Sequence, residues 1–172
     1  MSRIMRKIIL VTGGQRSGKS SYAERTALSM TDNPVYVATA HIWDDEFRER
    51  VKRHQLGRGS NWTNIEEEKY LGNIDIKGRV AVIDCITLWC TNFYFETQDI
   101  EKSLEMVKAE FDKFTSQDAT FIFVTNEIGM GGTSENKVQR MFTDLLGWAN
   151  QYIASKADEV IFMVSGIPMK IK

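Results

Sequence analysis

The sequence predicts an α/β domain in which a mostly parallel central sheet is flanked by helices. Five short apolar runs alternate with segments of helical periodicity, and this alternation predicts three layers. Each run is continuously apolar instead of alternating with polar residues, as expected of strands buried on both faces of a parallel sheet. The runs are 8–11, 35–38, 80–83, 120–124 and 160–164.

Three segments between these runs have the apolar spacing of amphipathic helices. They cover 21–30, 99–114 and 135–156. The third is the clearest, because its apolar residues recur every three or four positions and would form one stripe against a sheet. Ser134 precedes it and is predicted to be its N-cap.

A fourth, more polar helix is predicted over 44–55, between the second and third strands. Acidic residues lie in its first turn and basic residues in its last, and Gly57 is predicted to lie just past its end. We expect Phe47 and Val51 to share one face, and Arg50 and His54 to share another. A lone histidine on such a charged helix is most often a solvated surface residue.

Length and composition predict a single domain over residues 1–172, with a helical insertion at about 41–70. The net charge of −1 with dispersed basic residues does not favour nucleic-acid binding, and no apolar run reaches the roughly 18 residues of a membrane span. Cys85 and Cys90 share one apolar segment and are expected to be reduced core residues. A cytoplasmic location is predicted.

The first strand leads directly into Gly13-Gly14-Gln15-Arg16-Ser17-Gly18-Lys19-Ser20. This is the G-x-x-x-x-G-K-[ST] pattern of a phosphate-binding P-loop in its strand–loop–helix context. Backbone N–H groups and the helix N-terminus favour bound phosphate. Lys19 supplies a cation for the β- and γ-phosphates, and the Ser20 hydroxyl is a ligand for Mg²⁺. The sequence therefore predicts a RecA-like P-loop domain that binds a nucleoside triphosphate.

Polar residues at the ends of the other strands mark the same edge of the sheet. Ala38-Thr39-Ala40 follows the second strand, and Asp84 ends the third in the pattern of a carboxylate that holds Mg²⁺ or its water shell. A turn or capping role is the alternative for Asp84. Glu127 follows the fourth strand and can equally be structural.

Several motifs occur in a fixed order along the chain: the P-loop, Val-Ala-Thr-Ala at 37–40, Arg-Val-Lys-Arg-His at 50–54, Asp-Cys-Ile-Thr at 84–87, Thr-Asn-Glu-Ile-Gly-Met-Gly at 125–131 and Val-Ser-Gly-Ile-Pro-Met-Lys at 164–170. This ordered set closely resembles the bifunctional adenosylcobinamide kinase/adenosylcobinamide-phosphate guanylyltransferases of cobalamin biosynthesis. One departure is Gly59, which stands where the family often has proline.

The resemblance implies two reactions. A nucleoside triphosphate, GTP or ATP, phosphorylates the aminopropanol hydroxyl of adenosylcobinamide. GTP then guanylylates an enzyme histidine with release of pyrophosphate, and the substrate phosphate takes the GMP to give adenosylcobinamide-GDP. His54 matches the nucleophile position, which suits the chemistry because a neutral imidazole can attack phosphorus.

The resemblance also assigns the nucleotide-binding residues. They are Gly13, Gly14, Gln15, Arg16, Ser17, Gly18, Lys19, Ser20, Ala38, Thr39, Ala40, Gln55, Leu56, Gly57, Arg58, Glu66 and Asp84. Lys19 joins His54 as catalytic, and Ser20 and Asp84 are the Mg²⁺ side of the site. Because residues 66–68 are all glutamate, the match of Glu66 to the family's acidic position is fixed only to within one residue.

The resemblance further implies a homo-oligomer, a trimer in particular, with a corrinoid substrate beside GTP or ATP. Five aromatic residues, Trp43, Trp89, Phe93, Tyr94 and Phe95, can pack in the core, between subunits or against the flat corrin. Two other functions remain open. One is a P-loop small-molecule kinase without a covalent intermediate, and the other is a switch-type GTP-binding module, which the missing Asn-Lys-x-Asp motif disfavours.

Overall fold

The computed structural model describes residues 6–172, and these contain a seven-stranded sheet, five α-helices and a short 3₁₀ helix, Leu71–Asn73. The strands are β1 Lys7–Gly13, β2 Val35–Ala38, β3 Thr63–Glu66, β4 Val80–Asp84, β5 Thr120–Asn126, β6 Glu159–Val164 and β7 Ile167–Lys170. The helices are α1 Lys19–Met30, α2 Asp45–Gly57, α3 Ile86–Thr97, α4 Ile100–Phe114 and α5 Lys137–Lys156.

The sheet has the strand order β3-β2-β4-β5-β1-β6-β7, and β7 alone runs antiparallel, to β6. The other neighbouring pairs are parallel. Because six strands run in one direction, their carboxyl ends meet at one edge, where open α/β sheets bind ligands. The P-loop after β1 and Asp84 at the end of β4 both lie at this edge.

Both faces of the sheet are covered by helices, which explains the continuously apolar strands. In β1, Ile8 and Leu10 pack into the core shared with α3, α4 and α5, whereas Ile9 and Val11 pack into the core that contains α1. Successive side chains of a strand point to opposite faces, so a two-sided core requires apolar residues at consecutive positions. The predicted three-layer, mostly parallel architecture is confirmed.

The five predicted strands are present, and the sequence analysis missed two more. β3 is mostly exposed and reads Thr-Asn-Ile-Glu, and β7 is exposed throughout. Helix α3 was not predicted either, because it is apolar on several sides and lacks a clear stripe; Trp89 and Phe93 within it are fully buried. For these two aromatic residues, packing in the core is the role that the structure shows.

Two predicted helix boundaries were wrong. Asn136, not Ser134, is the N-cap of α5, since the Asn136 side chain accepts a hydrogen bond from the Gln139 backbone N–H. Gly57 is the last residue of α2 and does not lie beyond it; Arg58 follows as the C-cap. The N-terminal end agrees with the acidic pattern, because the Asp44 side chain accepts from the Phe47 N–H as N-cap.

Four further predictions concern the cysteines, a membrane span, the insertion and the number of domains. Cys85 and Cys90 are free and buried. Among residues 6–172, no helix has both the length and the apolar character needed to cross a bilayer. The predicted insertion at 41–70 contains α2 but also the sheet strand β3. The single domain over 1–172 remains a prediction.

Glu159 at the start of β6 connects two strands through ion pairs. Its carboxylate lies 2.6 Å from Lys7 Nζ of β1 and 3.4 Å from Lys170 Nζ of β7. The hydrogen bond from Lys7, followed by the charges of both lysines, lowers the pKa of Glu159. A carboxyl whose pKa is lower in the folded state stabilises the fold above its unfolded pKa, and this contribution disappears as the pH falls through the folded value.

We therefore predict that Glu159→Gln lowers the free energy of unfolding by about 0.5–1 kcal/mol at pH 7 and by close to zero at about pH 3. Urea unfolding at the two pH values measures this difference. Glu105→Gln is the matched control, because Glu105 pairs with Lys108 on one exposed helix face and should contribute less. A Glu159→Gln effect of equal size at both pH values would contradict the assignment.

Candidate active site

The loop between β1 and α1 is tightly constrained by its glycines. A Cβ at Gly13 would lie 2.7 Å from both the Met163 carbonyl oxygen and Ser17 Oγ, so a side chain there is excluded by contact. Gly18, the N-cap of α1, has a φ of 93°, which L-residues rarely adopt. The sequence pattern thus folds as predicted, with the loop closing onto the first turn of α1.

Lys19 lies inside this loop. Its Nζ donates to the Gly14 carbonyl oxygen at 2.5 Å and to Ser17 Oγ at 3.5 Å. Burial lowers the pKa of Lys19, while the nearby Asp84 carboxylate acts in the opposite direction. The loop therefore presents an ammonium group together with the N-terminus of α1, and both favour a bound anion.

A cavity of about 400 Å³ opens above the P-loop; we call it the phosphate cavity. Residues from the P-loop, β4, α3's N-cap and β5 form its walls. They are Gln15, Arg16, Ser17, Gly18, Lys19, Ser20, Ser21, Asp84, Cys85, Val124 and Asn126. Burial raises the pKa of the Cys85 thiol to about 12, so this thiol is neutral at pH 7.

Asp84 accepts two hydroxyl hydrogen bonds on one carboxylate oxygen. Ser20 Oγ donates to Asp84 Oδ2 at 2.6 Å, and Tyr36 OH donates to the same oxygen at 2.8 Å. The carboxylate therefore joins the start of α1 to β2 and β4. Ser20 and Asp84, the two residues predicted on the Mg²⁺ side, are in direct contact, and their binding of Mg²⁺ remains a prediction.

A second cavity, of about 350 Å³, adjoins the first and shares Ser20 and Asp84 with it. We call it the histidine cavity because His54 forms part of its wall. The full lining is Ser20, Tyr36, Ala38, Ala40, Phe47, Arg50, Val51, His54, Arg58, Asp84 and Leu88. The structure thus places the candidate nucleophile beside the P-loop across a common Ser20–Asp84 wall.

The predicted division of α2 into two faces was wrong. Phe47, Arg50, Val51 and His54 all line the histidine cavity. Their spacing of three, four and seven residues puts them on one face of a helix, so a single amphipathic face carries both the apolar residues and the reactive imidazole. His54 is exposed within this open cavity.

Arg58, directly after α2, connects the helix to the sheet. Its guanidinium carbon lies 3.6 Å from the centroid of the Tyr36 ring, and its Nη2 donates to Asn64 Oδ1 at 2.9 Å. Tyr36 also packs edge-to-face against Trp62. The Arg58 charge is therefore held at the histidine cavity by a cation–π contact and a hydrogen bond.

Several residues that the resemblance assigned to the nucleotide lie outside both cavity linings. Leu56 is 82% exposed, and Gln55 donates from Nε2 to Glu66 Oε1 at 3.3 Å on the outer side of α2 and β3. Gly57 is exposed at the end of the helix. Nucleotide binding by these four residues stays a prediction.

Thr39 is fully buried behind the cavities, although its neighbours Ala38 and Ala40 both line the histidine cavity. Its hydroxyl donates to the Cys85 carbonyl oxygen at 2.7 Å and accepts from the Cys85 N–H at 2.8 Å. This side chain therefore ties the ends of β2 and β4 together. A direct contact between Thr39 and nucleotide remains a prediction.

Two polar residues outside the P-loop have different surroundings. Glu127 accepts from the backbone N–H groups of Gly129 and Met130, which gives it a role in the turn after β5. His41 lies outside both cavity linings, and its Nδ1 is 2.8 Å from Glu68 Oε1. The histidine cavity thus has His54, and not His41, in its wall.

Sequence reasoning missed Tyr36 and Glu24. Tyr36 lies two residues before Ala38 on β2, so it points to the same face, and this period of two could have identified it. Glu24 lies one turn after Ser20 on α1. Burial raises the pKa of Glu24, the Arg58 charge acts in the opposite direction, and the Asp84 carboxylate adds to the rise. Glu24 itself is outside both cavity linings.

The sequence matches a known protein family over almost its whole length. The model of the family described as cobinamide kinase / cobinamide phosphate guanyltransferase matches residues 9–171. The chain belongs to this family. Family membership, which the ordered motifs predicted, is thereby confirmed.

Curated relatives of the family cover almost the whole chain. The bifunctional adenosylcobalamin biosynthesis protein CobU of Escherichia coli (strain K12) is 35% identical, over 96% of this chain and 99% of its own length. The bifunctional adenosylcobalamin biosynthesis protein CobP of Pseudomonas aeruginosa is 34% identical, over 95% of this chain and 96% of its own.

Solved structures with low sequence identity share the fold. The flagellar accessory protein FlaH of Methanocaldococcus jannaschii has a TM-score of 0.52 at 15% identity, covering 98% of this chain and 79% of its own. An ATPase of the type III secretion system of pathogenic bacteria has a TM-score of 0.59 at 10% identity, and the match covers 96% of this chain and 57% of the ATPase chain. The RecA-like P-loop fold is confirmed by these likenesses.

The Thr39–Cys85 bridge gives a prediction for stability in this family member. Thr39→Val keeps the side-chain shape but leaves the Cys85 N–H without an acceptor, whereas the Cys85 carbonyl oxygen still accepts from the Trp89 N–H at 3.1 Å. We expect the free energy of unfolding to fall by about 1–3 kcal/mol, because a buried donor left unsatisfied is costly. Urea unfolding measures this loss. Thr39→Ser is the control, since it keeps the hydroxyl, and equal losses in the two variants would refute the bridge.

Proposed function

We propose that this protein is a bifunctional enzyme of cobalamin biosynthesis that phosphorylates adenosylcobinamide and transfers GMP to the product through a guanylyl-His54 intermediate. The observation that carries the proposal is the pair of adjoining cavities, one built on a P-loop and the other containing His54, with Ser20 and Asp84 in both. A kinase without a covalent step needs the first cavity alone. A second cavity with a histidine and two arginines supports nucleotidyl transfer as well.

In the kinase reaction, the aminopropanol oxygen of adenosylcobinamide attacks the γ-phosphorus of GTP or ATP. The bond from the γ-phosphorus to the bridging oxygen breaks, the nucleoside diphosphate leaves and the hydroxyl proton is released. The P-loop N–H groups and Lys19 stabilise the charge on the transferring phosphoryl group. Arg16, in the same loop, adds a second cation to the phosphate cavity.

Ser20 and Asp84 fit a role on the metal side of this reaction. A hydroxyl and a carboxylate oxygen are hard ligands of the kind that Mg²⁺ prefers, and they lie 2.6 Å apart at the phosphate cavity. Among the described residues, no group of three or more His, Cys, Asp or Glu is arranged as a metal cage. A Mg²⁺ ion bound largely by substrate phosphates needs few protein ligands. When bound, it would neutralise phosphate charge.

In the guanylyl transfer, a ring nitrogen of neutral His54 attacks the α-phosphorus of GTP. An N–P bond forms, the bond between the α-phosphorus and the bridging oxygen breaks, and pyrophosphate leaves. A phosphate oxygen of adenosylcobinamide-phosphate then attacks the same phosphorus, the N–P bond breaks, and His54 is regenerated with adenosylcobinamide-GDP as product. Arg50 and Arg58 line the histidine cavity, where their charges would stabilise the phosphate groups.

The other functional expectations are part of the proposal. The nucleotide substrates are GTP, with GTP or ATP for the kinase step, and the acceptor is a corrinoid. A homo-oligomer, a trimer in particular, and a cytoplasmic location are carried over from the sequence and remain predictions.

The covalent intermediate is tested by incubating the protein with α-labelled GTP and Mg²⁺ in the absence of acceptor. We expect one acid-labile, base-stable label per active site, mapped to His54, and its loss in His54→Ala. Phosphorylation of adenosylcobinamide should persist in that variant, because the P-loop is unchanged.

Lys52→Ala is the matched control for this experiment. Lys52 lies on the same helix but is exposed and pairs with Glu49, away from the cavity, so this variant should keep the label. If the wild-type protein incorporates no label while it phosphorylates adenosylcobinamide, the transferase half is wrong and the enzyme is a kinase without a covalent intermediate. A label mapped to His41 would show that His41, and not His54, is the nucleophile.

Tyr36 is expected to position Asp84 for the metal. Tyr36→Phe removes the hydroxyl bound to Asp84 Oδ2 but keeps the ring beneath Arg58. Loss of a hydrogen bond to a metal-side carboxylate typically costs about 10–100-fold in metal affinity. We therefore expect the Mg²⁺ concentration for half-maximal kinase rate to rise by roughly tenfold.

This rise is measured by titrating Mg²⁺ at saturating nucleotide. Tyr152→Phe is the control, because Tyr152 OH also donates to a carboxylate, that of Asp112, between helices α5 and α4. A structural loss alone would lower the rate without shifting the Mg²⁺ midpoint. Equal midpoints for Tyr36→Phe and Tyr152→Phe would exclude a positioning role.

A further inference from the structure

Exposed apolar side chains border the histidine cavity along one face of α3. Leu88 is in the cavity wall and is 39% exposed, and Phe95, two turns later, is 58% exposed. Asn92 lies between them at positions i+4 from Leu88 and i−3 from Phe95, which places the three on one helical face. This face continues from the cavity wall outward over the surface.

Trp43, in the segment between β2 and α2, extends the face. It is 67% exposed, and its ring lies edge-to-face against Phe95 with the centroids 5.8 Å apart. We call the set Leu88, Asn92, Phe95 and Trp43 the α3 surface. A shallow depression of about 250 Å³ lies at its outer end, where Lys69 and Glu96 form a polar rim beside Trp43, Asn92 and Phe95.

We propose that the α3 surface holds the corrin macrocycle of the acceptor. The assignment rests on the proposed function, which requires a hydroxyl or phosphate on one arm of the corrinoid to reach the phosphate and histidine cavities. The body of so large a substrate must then lie at their mouth. Leu88 belongs to the histidine cavity, and Asn92 one turn later belongs to the outer depression, so the surface leads directly away from the reaction centre.

The chemistry of the α3 surface suits a corrinoid. Its apolar aromatic groups offer contact to the macrocycle, and covering an exposed aromatic side chain removes a large apolar area from water. Lys69 and Glu96 pair with each other, and the remaining N–H donors of Lys69 and the second carboxylate oxygen of Glu96 suit hydrogen bonds with the peripheral amide groups of a corrinoid. Asn92 is held in place because its Nδ2 donates to the carbonyl oxygens of Thr39 and Glu68, which leaves its side-chain amide in a fixed orientation.

The α3 surface also differs from other exposed apolar residues of the protein. Ile167, Met169 and Ile171 are exposed on or beside β7, and Trp148 is 47% exposed on α5. None of these four lines the phosphate cavity or the histidine cavity, whereas the α3 surface begins at Leu88 in the wall of the histidine cavity. A second copy of the chain is the competing occupant of the α3 surface, and the experiment separates it from the corrinoid.

The test measures binding of adenosylcobinamide by equilibrium dialysis, followed by the visible absorbance of the corrin, with no GTP present. We expect Trp43→Ala and Phe95→Ala each to raise the dissociation constant by about tenfold. Trp148→Ala is the matched control and should bind as the wild type does. Guanylylation from α-labelled GTP, which does not need the acceptor, should be unchanged in all three variants and shows that they fold.

The outcomes are distinguishable from a failure of the proposed function. If the wild type binds adenosylcobinamide and both variants bind it with the same affinity, the assignment of the α3 surface is wrong but the proposed function stands. Unaltered affinity together with dissociation of an oligomer in size-exclusion chromatography shows that a second copy covers the surface. If the wild type binds no adenosylcobinamide, the corrinoid part of the proposed function fails, and this assignment fails with it.

Discussion

The carboxylate of Asp84 is the junction on which both cavities depend. It accepts hydrogen bonds from Ser20 at the start of α1 and from Tyr36 on β2, while it ends β4 itself. Hydrogen bonds to a charged group contribute about 1.5–3 kcal/mol each, more than neutral ones. Because Ser20 and Asp84 form the wall between the cavities, the same contacts fix the position of the P-loop helix and the inner side of the histidine cavity.

The strand order explains how these residues meet. In the sheet, β5 lies between β4 and β1, so Ser20 after the P-loop approaches Asp84 across the end of β5. Asn126, the last residue of β5, accordingly lines the phosphate cavity between them. β2 is the neighbour of β4 on the other side, and this places Tyr36 within reach of Asp84. Parallel pairing brings all these carboxyl ends to one edge.

Local sequence patterns predicted much of the fold, because the central strands are buried on both faces and are therefore apolar at consecutive positions. It failed at β3 and β7, whose exposed residues are ordered by pairing with a neighbouring strand and carry no apolar pattern of their own. It also failed at α3, where Trp89 and Phe93 are buried in the core that α3 shares with α4, α5 and the sheet. Such elements are specified by tertiary contacts, which a local pattern does not contain.

The functional site likewise contains residues that local sequence patterns predict and residues that they do not. The P-loop, Ser20 and Asp84 were predictable because their chemistry is tied to local strand–loop–helix and strand-end patterns. Tyr36 was not, because its role depends on the lateral order β2-β4, and a sequence does not show which strands are neighbours. The ordered motifs predicted His54 as the candidate nucleophile, and its spacing of seven residues from Phe47 is enough to put both on one helical face. That this face lines a cavity next to the P-loop depends on the orientation of α2, which the sequence does not contain.

The position of α2 follows from these contacts more than from burial. None of the thirteen described residues of this helix is buried, so removal of apolar surface from water contributes little to holding it. Arg58 at its C-terminal end is bound to the Tyr36 ring and to Asn64, and Tyr36 is bound in turn to Asp84. The helix that carries His54 is thus attached through Arg58 directly to β2 and β3, and the β2 residue that Arg58 contacts also donates to the carboxylate that accepts from the P-loop serine.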